Sequence, residues 1–117
     1  MRRVATLIVL FVFSSLGALR AQSTNASLTG QVVDQSKSII PDAKVTLINN
    51  GTNLHYSGTT NQGGIYYVQD LPPGTYRMEV EKVGFKTVIK PDITLHVQDV
   101  LQINFEMALG SVSESIT

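Results

Sequence analysis

The sequence predicts an all-β protein, a β-sandwich of seven to eight short strands. Apolar and polar residues alternate with a period of two through most of the chain after residue 26, and no window shows apolar residues at helical spacing. Glycine, proline, asparagine and aspartate separate the alternating segments at intervals of roughly ten residues. Because each strand then has one apolar face that must be covered, two sheets packed face to face are expected.

The first 21 residues have the order of a secretory signal peptide. Two arginines precede the apolar run 4–13, and small residues follow it. We expect cleavage after Ala21, with Ala18 as the second choice. The run is too short for a comfortable membrane span, and an uncleaved N-terminal anchor is the alternative.

Charge and cysteine content exclude several functional classes. Removal of the signal would leave six cationic and nine acidic residues, a net charge of −3. This mild acidity argues against nucleic-acid binding, which needs a basic surface. The chain has no cysteine, so disulfides, thiol catalysis and cysteine-ligated zinc are excluded.

The first three strands are predicted at 26–34, 43–48 and 53–60. Their core-facing residues are expected to be Leu28, Gly30 and Val32 in the first strand and Val45 and Leu47 in the second. The turn after the second strand is signalled by Asn49-Asn50-Gly51, since Asn and Gly tolerate positive φ. The third strand is polar, and we expect it at a sheet edge.

The stretch 61–85 is predicted to form a central hairpin of the sandwich. A Gly63-Gly64 turn opens it, and Pro72-Pro73-Gly74 reverses the chain where neither proline can donate to a ladder. The residues expected to face the core are Tyr66, Val68, Leu71, Tyr76, Met78 and Val80. The residues expected to face outward are Ile65, Tyr67, Gln69, Arg77, Glu79 and Glu81.

The last third of the chain is predicted to add three strands. Gly84 precedes a strand at 85–90, a Pro91-Asp92 turn follows, and a further strand covers 93–97. The final segment, 100–109, has the clearest alternation. Its core-facing residues are expected to be Leu101, Ile103, Phe105 and Met107.

The order of these motifs resembles the carboxypeptidase regulatory-like domain, a transthyretin-like Greek-key sandwich. The resemblance rests on "LTGQVVD" at 28–34, "IPDAKVTLIN" at 40–49 and "TTNQGGIYYVQDLPPGTYRMEVEKVGFKT" at 59–87. It assigns the domain to 27–109, after a short linker at 22–26. One departure is Asp42, where this family usually has glycine. The resemblance implies a noncatalytic domain.

In bacteria, similar domains follow the signal peptide of TonB-dependent outer-membrane receptors and Oar-like proteins, ahead of the plug and barrel. The resemblance therefore implies an exported, periplasm-facing spacer or docking module in a longer receptor, with TonB-system components as possible partners. Residues 110–117, "GSVSESIT", are interpreted as a tail or the start of a linker to a plug. The alternative is a free-standing periplasmic or secreted module that binds carbohydrate or protein.

No catalytic, cofactor-binding or metal-binding residue is predicted, and no cofactor is expected. The only imidazoles, His55 and His96, have no third ligand at suitable spacing. The aspartates fall at strand ends and turns, where Asp can bond its own backbone, and a loop calcium site is the less favoured interpretation. No nucleophile elbow is present. The outward-facing Tyr67 leaves a sugar-stacking surface as a further alternative.

Overall fold

The computed structural model describes residues 24–110 and the backbone of residues 115–116. The predicted signal peptide lies outside these residues. Nine strands make up the regular structure of the described part: β1 Ala26–Asp34, β2 Lys44–Asn49, β3 His55–Thr59, β4 Ile65–Leu71, β5 Gly74–Glu81, β6 Thr87–Leu95, β7 Val100–Gln102, β8 Phe105–Met107 and β9 Ser115–Ile116. Within that part, no helix is long and apolar enough to cross a membrane.

The strands form two sheets that pack face to face. The first sheet has the order β4-β1-β7, with β8 also pairing with β1, and the second has the order β3-β2-β5-β6-β9. The predicted all-β sandwich is therefore confirmed, and β3 lies at the predicted sheet edge. One core between the sheets buries the alternating residues: Leu28, Val32, Val45, Leu47, Tyr66, Val68, Leu71, Tyr76, Met78, Val80, Phe105 and Met107.

The predicted central hairpin at 61–85 is wrong. β4 pairs with β1 in the first sheet, whereas β5 pairs with β2 and β6 in the second. The connection is an arch between sheets, stabilised where the Tyr76 hydroxyl donates to the Pro72 carbonyl at 2.6 Å. The physical reason is that Tyr66 and Tyr76 must both face the core, and an arch meets this requirement as well as a hairpin does, because the apolar faces of both strands are buried in either arrangement.

The predicted turn at Pro91-Asp92 is also wrong, because both residues lie inside the single strand β6. Tyr76 pairs with Ile93 and Met78 pairs with Lys90, so β6 has one residue more than β5 over this stretch. Asp92 has a φ of 59°, the left-handed conformation of many β-bulges. A proline is tolerated here because its missing N–H falls at a bulge in the ladder.

The final segment alternates as predicted but divides into two strands that both run parallel to β1. β7 pairs with β1 from Ser27 to Thr29, and β8 pairs with it from Val32 to Asp34. Two residues, Ile103 and Asn104, separate the two strands. Both residues also form hydrogen bonds with β1.

Candidate functional site

The strand β3 forms one edge of the second sheet, and β9 lies at the opposite edge. β3 pairs with β2 only, in an antiparallel register that joins Leu47 to Tyr56. Backbone hydrogen bonds just beyond each end, from Asn49 N–H to Leu54 O and from Thr60 N–H to Ala43 O, show which residues form bonded pairs. Such pairs alternate along an antiparallel ladder.

The alternation directs three backbone N–H groups of β3 away from β2. Tyr56 and Gly58 belong to bonded pairs and direct their N–H and C=O groups toward β2. His55, Ser57 and Thr59 therefore present theirs at the outer edge. This is the hydrogen-bonding pattern that an added strand needs.

The edge of β3 lacks the devices that protect β6. β6 carries Lys90, Pro91 and the bulge at Asp92, all of which discourage pairing with another chain. In addition, β9 covers the edge of β6 over Thr87–Val88. The β3 segment, "HYSGT", contains no proline or full charge, and its register with β2 is regular.

Gly58 fixes β3 against the neighbouring edge of the first sheet. A Cβ atom at this glycine would lie 3.1 Å from Val68 Cγ2 and 3.6 Å from the Tyr67 carbonyl oxygen. A side chain would push β3 away from β4, so the glycine permits the close approach of the two sheets. The outer edge of β3 is therefore held in position.

The outer face of the first sheet is nearly uncharged around Tyr67. Tyr67 is 56% exposed and lies opposite Thr29, which in turn lies opposite Gln102 on β7. The next row pairs Ile65, 38% exposed, with Gln31. The predicted outward orientation of Tyr67 is confirmed, and amide and hydroxyl side chains surround it.

The two histidines are exposed, and β2 and β5 lie between the strands that carry or precede them. His55 begins β3, whereas His96 lies in the turn after β6, where its backbone N–H donates to Asp99 Oδ2 at 2.7 Å. Among residues 24–110, no three His, Cys, Asp or Glu side chains are grouped in a way that could hold a metal ion.

Asp34 ends a strand and Asp42 and Asp99 lie in turns, as predicted, whereas Asp70 and Asp92 lie at irregular positions inside strands. The carboxylate Oδ1 of Asp34 accepts the backbone N–H groups of Ser36 and Ser38 and the Ser36 hydroxyl, at 2.6 to 3.0 Å. These bonds, led by that to the Ser36 hydroxyl, lower the pKa of Asp34. Asp42, with a φ of 60°, occupies a left-handed turn position. Asp70 has the same φ but lies inside β4, where the register with β1 shifts by one residue.

Two shallow concavities are present on the described surface. One, of about 250 Å³, is lined by Asp42, Lys44, Glu81, Lys82 and Val83. The other, of about 180 Å³, is lined by Asp34, Gln35, Ser36, Met107 and Leu109. In the second, the Ser36 hydroxyl donates to Asp34, but the same carboxylate oxygen accepts two backbone N–H groups and the pKa of Asp34 is lowered, which makes it a weak base. The first has as many cations as carboxylates.

The two buried tyrosines have structural roles. The Tyr66 hydroxyl donates to the Ile103 carbonyl, and the Tyr76 hydroxyl donates to the Pro72 carbonyl. Burial raises the pKa of both phenols, so both stay neutral at physiological pH. Each hydroxyl connects its strand to a neighbouring segment, which satisfies a buried polar group.

The chain enters and leaves the sandwich at opposite ends. Thr24 accepts a hydrogen bond from Gln98 at the end where β1 begins, and Gly110 donates one to Gly84 at the end where β8 finishes. β1 contains nine residues and spans about 30 Å at roughly 3.3 Å per residue. The two ends are separated because the last strands run parallel to the first.

The comparisons with known proteins agree with this architecture. The family model of the carboxypeptidase regulatory-like domain matches residues 27–108. The TonB-dependent transporter Oar of Myxococcus xanthus is 30% identical to this chain over 100 residues, which cover 82% of the chain. The match spans only 9% of that transporter's length. The resemblance drawn from the sequence motifs is confirmed.

Solved structures share the fold at low sequence identity. The TIE protein of Bacillus anthracis superimposes with a TM-score of 0.62 and 19% identity, over 74% of this chain and 17% of that one. A hydroxyquinol 1,2-dioxygenase of Pseudomonas putida superimposes with a TM-score of 0.60 and 10% identity, over 78% of this chain and 58% of that one. At such identities the likeness concerns the fold alone.

Proposed function

This chain belongs to the carboxypeptidase regulatory-like domain family, and we propose that it is a noncatalytic, periplasm-facing module of a TonB-dependent outer-membrane receptor. In this proposal the domain follows a signal peptide at 1–21 and precedes the receptor's plug and barrel. It acts as a spacer and docking domain. Family membership supports the noncatalytic assignment, and the similarity to a TonB-dependent transporter supports the receptor.

The separation of the two ends of the chain supports the spacer role. A domain that receives the chain at Thr24 and releases it beyond Gly110, after β9 has paired with Thr87–Val88, sets the segments on either side about 30 Å apart, the length of β1. A sandwich whose termini met at one end would add bulk but little length. This geometry is the observation that carries the proposal.

The outer edge of β3 is the proposed docking surface. Its outward N–H groups at His55, Ser57 and Thr59 suit an extended segment of a partner, such as the receptor's plug. Ser57→Pro removes one outward donor without deleting a bond to β2. Ser57→Ala keeps that donor and is the matched control.

The docking surface can be tested by site-specific photo-crosslinking in cells that make the native protein. A photoreactive residue at position 57 should give a crosslink to the plug or to a TonB-system component, identified by mass spectrometry. A second one at Glu79, on the outer face of the second sheet, controls for proximity. If Thr59→Pro, which also removes an outward donor, left the crosslink at position 57 unchanged, the edge would not be the docking surface.

The receptor assignment is tested by an immunoblot of fractionated native cells, with an antibody against residues 27–109. A band many times heavier than 12.7 kDa in the outer-membrane fraction is expected. A band at the mass of the mature chain, found in the periplasm or medium, would contradict the receptor assignment. It would favour a free-standing module.

A free-standing carbohydrate-binding module is the second candidate function, favoured by the exposed Tyr67 among neutral polar side chains. Exposed aromatic rings stack on sugar rings, and amides such as Gln102 bond hydroxyl groups. The test is retention on a glycan array that disappears with Tyr67→Ala. Gln69→Ala, on the same outer face of β4, is a control for surface changes.

A further inference from the structure

We propose that the domain also has a mechanical function, as a tension-bearing link whose first and last strands form a shear clamp. The clamp is defined as β1 together with β7, β8 and the two residues between them. It would keep the sandwich folded when the chain is pulled from both sides. The inference rests on strand direction, register and hydrogen bonds, and a load on both ends rests on the proposed place of the domain within a longer receptor.

The clamp joins the first strand of the fold to the last part of the chain. Three positions of β1, from Ser27 to Thr29, pair with β7, and three more, from Val32 to Asp34, pair with β8. All run parallel. The paired residues are about 70 positions apart in sequence, as in Thr29 with Gln102. These pairings therefore join the two strands on which a load would act, and most of the chain lies between those strands in sequence.

The direction of a load follows from the ends of the chain. A pull on the N-terminal side acts on Thr24 and draws β1 toward the end where it begins. A pull on the C-terminal side acts on Gly110 and draws β8 in the opposite direction. Parallel strands pulled this way slide past each other, so their hydrogen bonds are strained together. A hairpin pulled at its open end breaks one bond at a time.

The interruption between β7 and β8 is bridged, so the clamp is continuous along β1. The backbone N–H of Ile103 donates to Thr29 O at 2.9 Å. The Asn104 side-chain Oδ1 accepts the Gln31 backbone N–H, also at 2.9 Å, in place of a backbone carbonyl. The Tyr66 hydroxyl of β4 reaches across β1 to the Ile103 carbonyl.

β1 is also held on its other side. It pairs antiparallel with β4 from Leu28 to Gln31, so it lies inside the first sheet with a strand on each side. Sliding of β1 therefore breaks two ladders. β9, which pairs with Thr87–Val88 only, lies outside the clamp and should detach first under load without releasing β8.

Single-molecule pulling in two geometries tests the clamp, and the lack of native cysteines allows handles at chosen positions. In the shear geometry, the handles are attached through Thr24→Cys and Gly110→Cys. In the peeling geometry, they are attached through Thr24→Cys and Asn50→Cys, because Asn50 bonds to Thr75 at the same end as Thr24. We expect the unfolding force to be at least about twofold higher in the shear geometry at equal pulling speed, because six ladder positions yield together. Equal forces, or a lower shear force, would overturn the proposal.

A matched pair of variants tests the bridge by Asn104. Asn104→Ala removes the acceptor for Gln31 and should lower the shear force but leave the peeling force unchanged. The control is Asn61→Ala, whose Oδ1 likewise accepts backbone N–H groups, those of Gly63 and Ile65, but outside the clamp. Asn61→Ala should leave the shear force unchanged. An equal reduction by both variants would show that Asn104 has no special part in the clamp.

Discussion

The backbone of β1 at Gly30 lies against the carbonyl oxygen of Ile103, so closely that a Cβ at Gly30 would be 1.8 Å from that oxygen. The same Cβ would lie 2.7 Å from the Tyr66 hydroxyl. No side chain larger than hydrogen fits, because both neighbours belong to the packed first sheet. The glycine therefore allows the final segment to pack along β1.

Substitution of Gly30 by alanine should destabilise the domain by at least about 3 kcal/mol, because the Ile103 carbonyl would have to move and break its bond with Tyr66. The free energy of unfolding can be measured by urea denaturation followed by circular dichroism. Gly51→Ala is the control, since a Cβ there meets only Asn49 Oδ1 at 3.4 Å. It should change stability by about 0.5 kcal/mol or less. Similar effects of the two variants would contradict the packing argument.

The buried Thr60 hydroxyl joins two loop segments at one end of the sandwich. It donates to Ile40 O at 2.7 Å and accepts from Ala43 N–H at 2.8 Å. Thr60→Val keeps the shape but leaves the Ala43 donor without a partner, so we expect a loss of about 1–3 kcal/mol. Thr59→Val, on the exposed face of β3, should have little effect. A Thr60→Ser variant as unstable as Thr60→Val would argue against the hydroxyl as the cause.

Asp42 occupies a backbone position with a φ of 60°, in the left-handed region that favours glycine. Asp42→Val should destabilise the domain by about 1–2 kcal/mol, because a β-branched residue is strained in the left-handed region. Asp42→Gly should be at least as stable as the natural chain. Thermal unfolding of the three proteins would show the order. A valine variant as stable as the glycine variant would mean that the turn relaxes to another conformation.

Stability should fall at alkaline pH because burial raises the pKa of Tyr66. An unfolded tyrosine loses its proton near pH 10, whereas the folded phenol keeps it, so the unfolded state binds fewer protons above that pH. The stability that the neutral Tyr66 phenol contributes is fully present below about pH 10. Above that pH the free energy of unfolding falls by about 1.4 kcal/mol per pH unit for this group.

A comparison of Tyr66→Phe with the natural protein isolates the contribution of Tyr66 to the loss of stability at alkaline pH. The variant should be less stable at pH 7, since the Ile103 carbonyl loses its hydroxyl donor. Its free energy of unfolding should nevertheless fall less steeply between pH 10 and about 11. Urea titrations at both pH values would show the two slopes. Parallel slopes would mean that Tyr66 ionises equally in both states.

Much of the fold could be predicted because period-two alternation reports which face of a strand is buried. The bounds of β1 were correct at both ends, and Tyr66 was placed in the core and Tyr67 outside it. Alternation does not report which strand lies beside which. The interpretation of 61–85 as a hairpin was wrong for that reason, since an arch between sheets needs the same apolar faces and the same Pro-Pro-Gly break.

Local residue types were also ambiguous at Pro91-Asp92, because a proline and a left-handed aspartate suit either a turn or a bulge. β5 pairs with β6 both before Pro91 and after Asp92, so the two residues form a bulge within one strand. Candidate functional features were harder still to predict. The role of Asn104 has no sequence signal, since it is one polar residue in a regular alternation. The outward donors of β3 depend on its register with β2.

The parallel pairing of β1 with the end of the chain has a consequence for the order in which the strands fold. β1 is the first strand to emerge, yet its partners on one side are not present until residue 107 has followed. The core strands of the second sheet, β2, β3, β5 and β6, can pair earlier. We therefore expect a folding intermediate with an ordered second sheet, which pulse-labelled hydrogen exchange would detect as early protection of Leu47 and late protection of Gln31, whose N–H donates to Asn104 Oδ1. A chaperone that binds unpaired strands would find β1 available longest.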